Sequence, residues 1–238
     1  MRFPETAWIF FDCFNTLIDE FDESGEEGGL YSVPRLAAAD GFFATPELFL
    51  AAYAEVRTTS LRLGREITLD DRLRRTLQAA PAPRPVAEVA GEVTRLLGAW
   101  EPDFARRLRP TPGVQEMLEY WAARRKLGVV ANSFLPGLPE RYLQRFGLAR
   151  YFRFFLDSAS FGFKKPNPLL VMEAFSQAAL GPCDGAEVLA IGDRHDLDIV
   201  VALDLGMHVL HFNRQHSRPG VAPTPEGVPV IFDWAEFR

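Results

Sequence analysis

The sequence predicts an α/β protein: a doubly wound parallel sheet carrying an inserted α-helical domain. Three observations carry that expectation. Short apolar runs at residues 7–11, 126–131 and 187–191 are strand-length, and each is followed by a polar group: Asp12, Asn132-Ser133 and Gly192-Asp193 respectively. Segments with helical spacing separate the second and third of these runs, and alternation of strands with helices implies a parallel sheet covered on both faces. Residues 33–108, by contrast, read as helices with no alternating strand pattern, so they interrupt the α/β rhythm. The expected division is a core of residues 1–20 and 108–238 around a helical domain of residues 21–107.

Composition admits this architecture and removes others. The 238 residues are 47% hydrophobic, enough for a full core. A net charge of −6 lacks the basic footprint of a nucleic-acid binder. Two cysteines, Cys13 and Cys183, make neither a disulfide framework nor a metal-ligand spacing, and both are expected reduced. The start lacks a long apolar leader and no apolar run reaches membrane-spanning length, so the expected location is cytoplasmic.

Taken in order, the chain opens with a strand that delivers Asp12 to its carboxyl end, the edge at which open α/β sheets bind ligands. Asn15-Thr16 then favour a turn. Six of the nine residues from Asp19 to Glu27 are acidic, which reads as a solvated loop or as a flap whose charge selects substrate. Thr45-Pro46 starts a helix, Thr68 caps a second, and a third runs over residues 86–100. Tyr53, Trp100, Arg57, Arg62 and Arg65 could line a pocket or simply pack an amphipathic bundle. Beyond residue 110 the expected elements are a helix at 111–125, a strand at 126–131, a helix at 138–146 and a strand at 151–156. A helix at 167–180, a strand at 187–191, a helix at 197–205, a strand at 207–210, an edge strand at 228–231 and a short terminal helix complete the list.

The motifs converge on one chemistry. Strand–Asp12, strand–Asn132-Ser133, Lys165-Pro166 and strand–Gly192-Asp193 with Asp198 five residues on, in that order, resemble the four signatures of the haloacid dehalogenase superfamily of hydrolases. The resemblance covers nearly the whole chain. It implies a Rossmann-like core with a helical cap and a hairpin flap after the first strand. It also implies Asp12 as a nucleophile and Lys165 as a fixed positive charge beside it. A carboxylate can attack phosphorus to form a covalent intermediate that water then hydrolyses. Mg2+ would neutralise the charge that builds up, held by Asp12, the backbone carbonyl of Phe14, Asp193 and, directly or through water, Asp198, which by the same pattern would also steady Lys165. The structural alternative for Asp193 and Asp198 is capping of the following helix.

Two departures stand against the family pattern. Most phosphatases of the superfamily carry a second aspartate two residues after the nucleophile, as acid and base; here that position is Phe14, and such help is worth ~10²–10⁴-fold in rate. In the second signature the usual phosphoryl-binding Ser or Thr is replaced by Ala131, next to Asn132. Asn132 takes the contact, Ser133 substitutes for it, or the contact is lost. An aromatic residue at position 14 resembles the 2-haloacid dehalogenase branch, whereas Gly192-Asp193 is the metal-binding form. His195, beside Asp193, is a base in place of the absent aspartate or an idle loop residue. Three readings follow: a Mg2+-dependent phosphohydrolase of a small phosphorylated metabolite, a metal-free carbon–halogen hydrolase, or a binding or regulatory protein that keeps the fold.

Overall fold

A computed structural model describes residues 6–20, 29–213 and 224–238, without the side chains of residues 59–63. The acidic stretch beyond Glu20 and the Arg62 side chain therefore lie outside the described residues. The chain divides into two compact units, Met1–Asp19 with Arg109–Arg238, and Glu20–Leu108.

In the helical unit, α1 (Val33–Ala39), α2 (Pro46–Leu63), α3 (Leu69–Gln78) and α4 (Val86–Ala105) pack around Phe49, Leu73, Leu77, Val93, Leu96 and Trp100. Thr68 caps α3, its hydroxyl accepting from the Asp71 N–H at 3.3 Å. The third expected helix runs five residues further than residue 100, through Pro102, because Phe104 stacks on Trp100 at 4.7 Å and anchors the extra turn. Tyr53 and Trp100 are buried in this unit's own core, and the Arg72 guanidinium sits between Glu66, the Ile67 carbonyl and the Tyr53 hydroxyl. These residues hold the bundle together.

In the core unit the chain runs β1 (Trp8–Phe11), β2 (Ile18–Glu20, its last residue past the unit boundary), β3 (Leu108–Pro110), α5 (Val114–Ala122) and β4 (Lys126–Ala131). It continues through α6 (Leu138–Arg145), β5 (Phe154–Asp157), α7 (Ser158–Phe161), α8 (Pro168–Gln177) and β6 (Val188–Gly192). Last come α9 (Val200–Asp204), β7 (His208–Phe212) and β8 (Val230–Ile231). The six-stranded sheet has the order β5-β4-β1-β6-β7-β8 with every pairing parallel. A sheet buried on both faces explains why β1 is apolar throughout, with all four residues of WIFF buried. The chain grows outward from β1 through β4 and β5, then crosses back to β6, so the strand order reverses beside β1. That reversal is where α/β sheets open a crevice at their carboxyl ends. Register places Phe11 opposite both Val129 and Ile191, so Asp12, Asn132 and Asp193 leave the sheet at one edge.

Several boundaries differ from the expectations, each for a local reason. The strand expected at 151–156 starts at Phe154, because residues 149–151 make a 3₁₀ turn. The helix expected at 111–125 starts at Val114, after Gly113 at φ 76°, and the one expected to reach 180 ends at Gln177. The helix expected at 197–205 opens two residues earlier as a π-helical turn, His195–Ile199, before α9. Asp19, assigned to a solvated stretch, is buried on β2 with Arg109 Nε 3.8 Å from its carboxylate. β2 pairs with β3 as a separate two-stranded sheet.

Aromatic side chains fill both faces of the main sheet. On one, Phe10 meets Phe154 at 5.4 Å and Phe175 at 6.2 Å; on the other, Trp234 stacks on Phe212 at 4.1 Å and meets Phe11 edge-on. Gly128 on β4 makes room for this packing, since a β-carbon there would lie 2.3 Å from the Phe154 ring. Gly128→Ala is therefore expected to displace that ring and destabilise the fold by about 1–3 kcal/mol. Urea unfolding measures the loss, and an unchanged midpoint would show that the ring yields freely.

Candidate active site

The site begins where β1 ends. The Asp12 N–H donates to the Ile191 carbonyl at 2.8 Å, so the ladder with β6 continues up to the residue that carries the carboxylate. The chain then folds into a tight loop in which the Cys13 carbonyl accepts from the N–H groups of Leu17 (2.8 Å) and Ile18 (3.0 Å). Asn15 supplies the left-handed residue of that loop at φ 64°, a conformation asparagine tolerates better than most residues. The loop brings the buried Thr16 hydroxyl to 3.2 Å from Asp12 Oδ2, to which it donates. Cys13 is fully buried, and burial followed by the neighbouring Asp12 charge pushes its thiol well above the usual range, so it stays neutral. Phe14 is half-buried and bridges to Ile18; its ring has no proton to give.

Lys165 lies across from Asp12, just before α8 and a cis Lys165–Pro166 bond. Its ammonium is buried and is engaged on three sides: with Asp12 Oδ1 at 2.7 Å, with the Val130 carbonyl at 2.7 Å, and in an ion pair with Asp198 Oδ1 at 2.5 Å. Burial alone would lower its pKa, but the charges of Asp12 and Asp198 outweigh that and hold it above the ordinary lysine value. The lysine is a permanent cation.

The two residues expected to contact a phosphoryl group have their side chains engaged inside the fold. Asn132 pairs with the main chain of Lys165, its Nδ2 donating to the Lys165 carbonyl at 3.0 Å and its Oδ1 accepting from the Lys165 N–H at 2.8 Å. The Ser133 hydroxyl is buried and donates to the Leu135 carbonyl at 2.8 Å, while its N–H donates to Ser158 Oγ at 2.9 Å. Asn132 thus fixes the segment that carries Lys165.

The remaining acids follow β6. Asp198 is buried, and its Oδ2 accepts from the Arg194 N–H at 3.0 Å. Its carboxyl is pushed up to about 6, chiefly by burial, with Lys165 pulling it down and Asp12 adding to the rise. The close seat exists because residue 192 is glycine: a β-carbon there would fall 2.3 Å from Asp198 Oδ2 and 2.6 Å from Asp198 Cβ. Carboxylate oxygens of Asp12, Asp193 and Asp198 lie within 4.8 Å of one another. His195 is half-buried, and its Nδ1 has no hydrogen-bond partner among the described residues. Arg194 next to it is held by a two-pronged pair with Asp196, at 2.9 and 2.8 Å.

One residue at the site was missed from sequence. His211, near the end of β7, is buried with one ring nitrogen on the Thr224 hydroxyl and the other 3.0 Å from the Asp193 carbonyl. Burial lowers its pKa, with the Asp193 hydrogen bond opposing. In sequence it lies in an apolar strand, and nothing in that run distinguishes a histidine aimed at a neighbouring loop from one facing solvent.

The charge arrangement makes a direct test available. Lys165→Met would leave the buried Asp198 and the partly buried Asp12 without their shared ammonium, and breaking a buried pair costs about 3–5 kcal/mol. The metal-free variant is expected to unfold at lower urea by that margin. Adding Asp12→Asn, which removes one of the two stranded charges, is expected to recover part of the loss; no recovery would show that the two charges do not couple through Lys165.

The chain is similar to known proteins. Residues 6–206 match the family model of haloacid dehalogenase-like hydrolases. The chain is 32% identical over 117 residues to the pyrimidine 5'-nucleotidase YjjG of Escherichia coli, a match covering 48% of this chain and 51% of that protein. It is 37% identical over 83 residues to the rhythmically expressed gene 2 protein of Drosophila melanogaster, covering 35% of this chain and 31% of that one. The chain therefore spans about half the length of the first relative and about a third of the second. Among solved structures, a 2-haloacid dehalogenase from Pseudomonas syringae pv. Tomato aligns with a TM-score of 0.73 at 22% identity, over 97% of this chain and 96% of that one. A haloacid dehalogenase-type phosphatase from Thermococcus onnurineus aligns at 0.61 and 21%, over 98% and 96%. At those identities the likeness is one of fold. No helix among the described residues is long and apolar enough to cross a membrane. By the family match over most of its length, with the fold agreeing, the chain belongs to the haloacid dehalogenase-like hydrolase family.

Proposed function

We propose that the protein is a divalent-cation-dependent phosphohydrolase acting on a small phosphate monoester, with Asp12 as nucleophile. The observation that carries this reading is the cluster of Asp12, Asp193 and Asp198, two of which, Asp12 and Asp198, share the Lys165 ammonium. Three carboxylates and one ammonium have a net formal charge of minus two, which a divalent cation with a preference for oxygen ligands matches. The donor set fits Mg2+: Asp12 and Asp193 would hold it, with the Phe14 carbonyl as a further oxygen and Asp198 directly or through water. When bound, Mg2+ would neutralise charge on the phosphoryl oxygens.

The chain's own residues account for the rest. Lys165 orients Asp12 through the 2.7 Å contact, and Thr16 holds the second carboxylate oxygen. Asp12 attacks phosphorus, the bond from phosphorus to the ester oxygen breaks, and an aspartyl phosphate forms. Water then attacks that phosphorus, releasing inorganic phosphate and restoring the Asp12 carboxylate. The departing oxygen leaves as an anion protonated by solvent, because Phe14 stands where an acid would serve. We read the helical unit, Glu20–Leu108, as the cap that selects substrate. The nucleotidase name of one relative makes pyrimidine nucleoside monophosphates the first natural candidates. The free thiols Cys13 and Cys183 fit a reducing, cytoplasmic setting.

The test is hydrolysis of p-nitrophenyl phosphate, whose leaving group departs readily without an acid. Turnover that requires Mg2+, stops on chelation and is abolished by Asp12→Asn is the expected result. Activity retained in Asp12→Asn would overturn the mechanism. Phe14→Asp is expected to raise turnover of alkyl phosphates, by up to about 10²–10⁴-fold, far more than that of the nitrophenyl ester. The aromatic Phe14 also favours a second reading, metal-free dehalogenation; chloride release from 2-chloropropionate without metal, alongside silence toward phosphate esters, would establish it. Silence in both assays would favour a binding or regulatory role.

A further inference from the structure

We propose that His211 is a positioning residue for the metal centre: through the main chain of Asp193 it sets where that carboxylate stands beside Asp12 and Asp198. The inference rests on the metal-dependent reading above. The pairing of β6 with β7 ends at Gly192 opposite His211, so Asp193 is the first residue beyond the ladder. There the His211 side chain takes over. Its Nε2 lies 3.0 Å from the Asp193 carbonyl, a group that only accepts, so Nε2 carries the hydrogen. In the neutral ring Nδ1 is then the acceptor, and the Thr224 hydroxyl donates to it. One tautomer satisfies both contacts, and the ring, 3% exposed, has no room to turn.

What this hydrogen bond holds is the peptide plane that follows Asp193, at the point where the chain turns from β6 into the π-helical turn of His195–Ile199. The same turn delivers Asp198 to its seat against Gly192. Rotating that plane would swing the Asp193 carboxylate relative to the other two acids. Buried as it is, His211 acts through Asp193 and not on substrate. Partners that orient a metal ligand in this way change metal affinity by about 10–100-fold when removed.

The experiment measures binding of Mn2+ alone, as a paramagnetic stand-in for Mg2+, to wild type, His211→Phe, His211→Gln and Thr224→Val, with thermal unfolding of each to check the fold. His211→Phe is expected to bind Mn2+ about tenfold more weakly. His211→Gln, which keeps an N–H within reach of the Asp193 carbonyl, is expected to recover most of that loss. Thr224→Val, which frees Nδ1, is expected to fall between wild type and His211→Phe. Wild-type affinity in a folded His211→Phe overturns the proposal and leaves the metal reading standing. A wild-type protein that binds no Mn2+ overturns the metal reading, and this proposal with it. If His211→Phe does not fold, Thr224→Val carries the test, and affinity equal to wild type there overturns it.

Discussion

One ammonium between two carboxylates, Asp198 buried and Asp12 partly so, is the constraint on which the site depends. Lys165 is among the most buried charged groups of the core unit, and Asp12 and Asp198 on either side are nearly as enclosed. Removing three charges from water is costly, and only their mutual attraction and added hydrogen bonds offset it. The surrounding sequence supplies those bonds. The Val130 carbonyl takes one hydrogen of the ammonium, Asn132 fixes the lysine's peptide from both sides, and the Arg194 N–H donates to Asp198 Oδ2. Gly192 gives up its side chain so that Asp198 can stand against the end of β6. Four strand ends and loops are thus committed to holding one cation in place.

Much of this was legible in the sequence, because strand ends in a parallel sheet are fixed by register. Once residues 8–11, 126–131 and 188–192 form neighbouring strands, Asp12, Asn132 and Asp193 emerge at one edge. The types of those residues then suggest the chemistry. What could not be read were the bonds from side chain to main chain. Asn132 was one of three alternatives for a phosphoryl contact; its side chain pairs with the Lys165 peptide 33 positions away, and no local pattern records such a pairing. His211 was hidden for the same reason. Asp19 was misread because its acidic neighbours suggested a solvated run, whereas the strand pairing of β2 turns it inward. The π-helical turn at His195–Ile199 departs from the 3.6-residue period that the sequence reading assumed, and it is this wider turn that carries Asp198 back toward the sheet.

The groups that line the site also differ in what they can do with a proton. Lys165 has its pKa raised and its three hydrogens directed at Asp12, Val130 and Asp198, so it offers charge and no acid. The Cys13 thiol is buried and stays protonated, His211 is enclosed and joined to Asp193 and Thr224, and the Thr16 hydroxyl points at Asp12. Phe14, two residues after Asp12, has a ring with no proton to give. Charge neutralisation is therefore overbuilt around Asp12, while proton delivery to a leaving group has no dedicated residue among these. On the proposed phosphohydrolase reading, such a site would lower the barrier for attack on an anionic centre and leave the second half of bond cleavage to the substrate. Esters whose oxygen departs as a stable anion would then lose little, and simple alkyl esters most. On the proposed phosphohydrolase reading, the selectivity of the core unit lies in the leaving group.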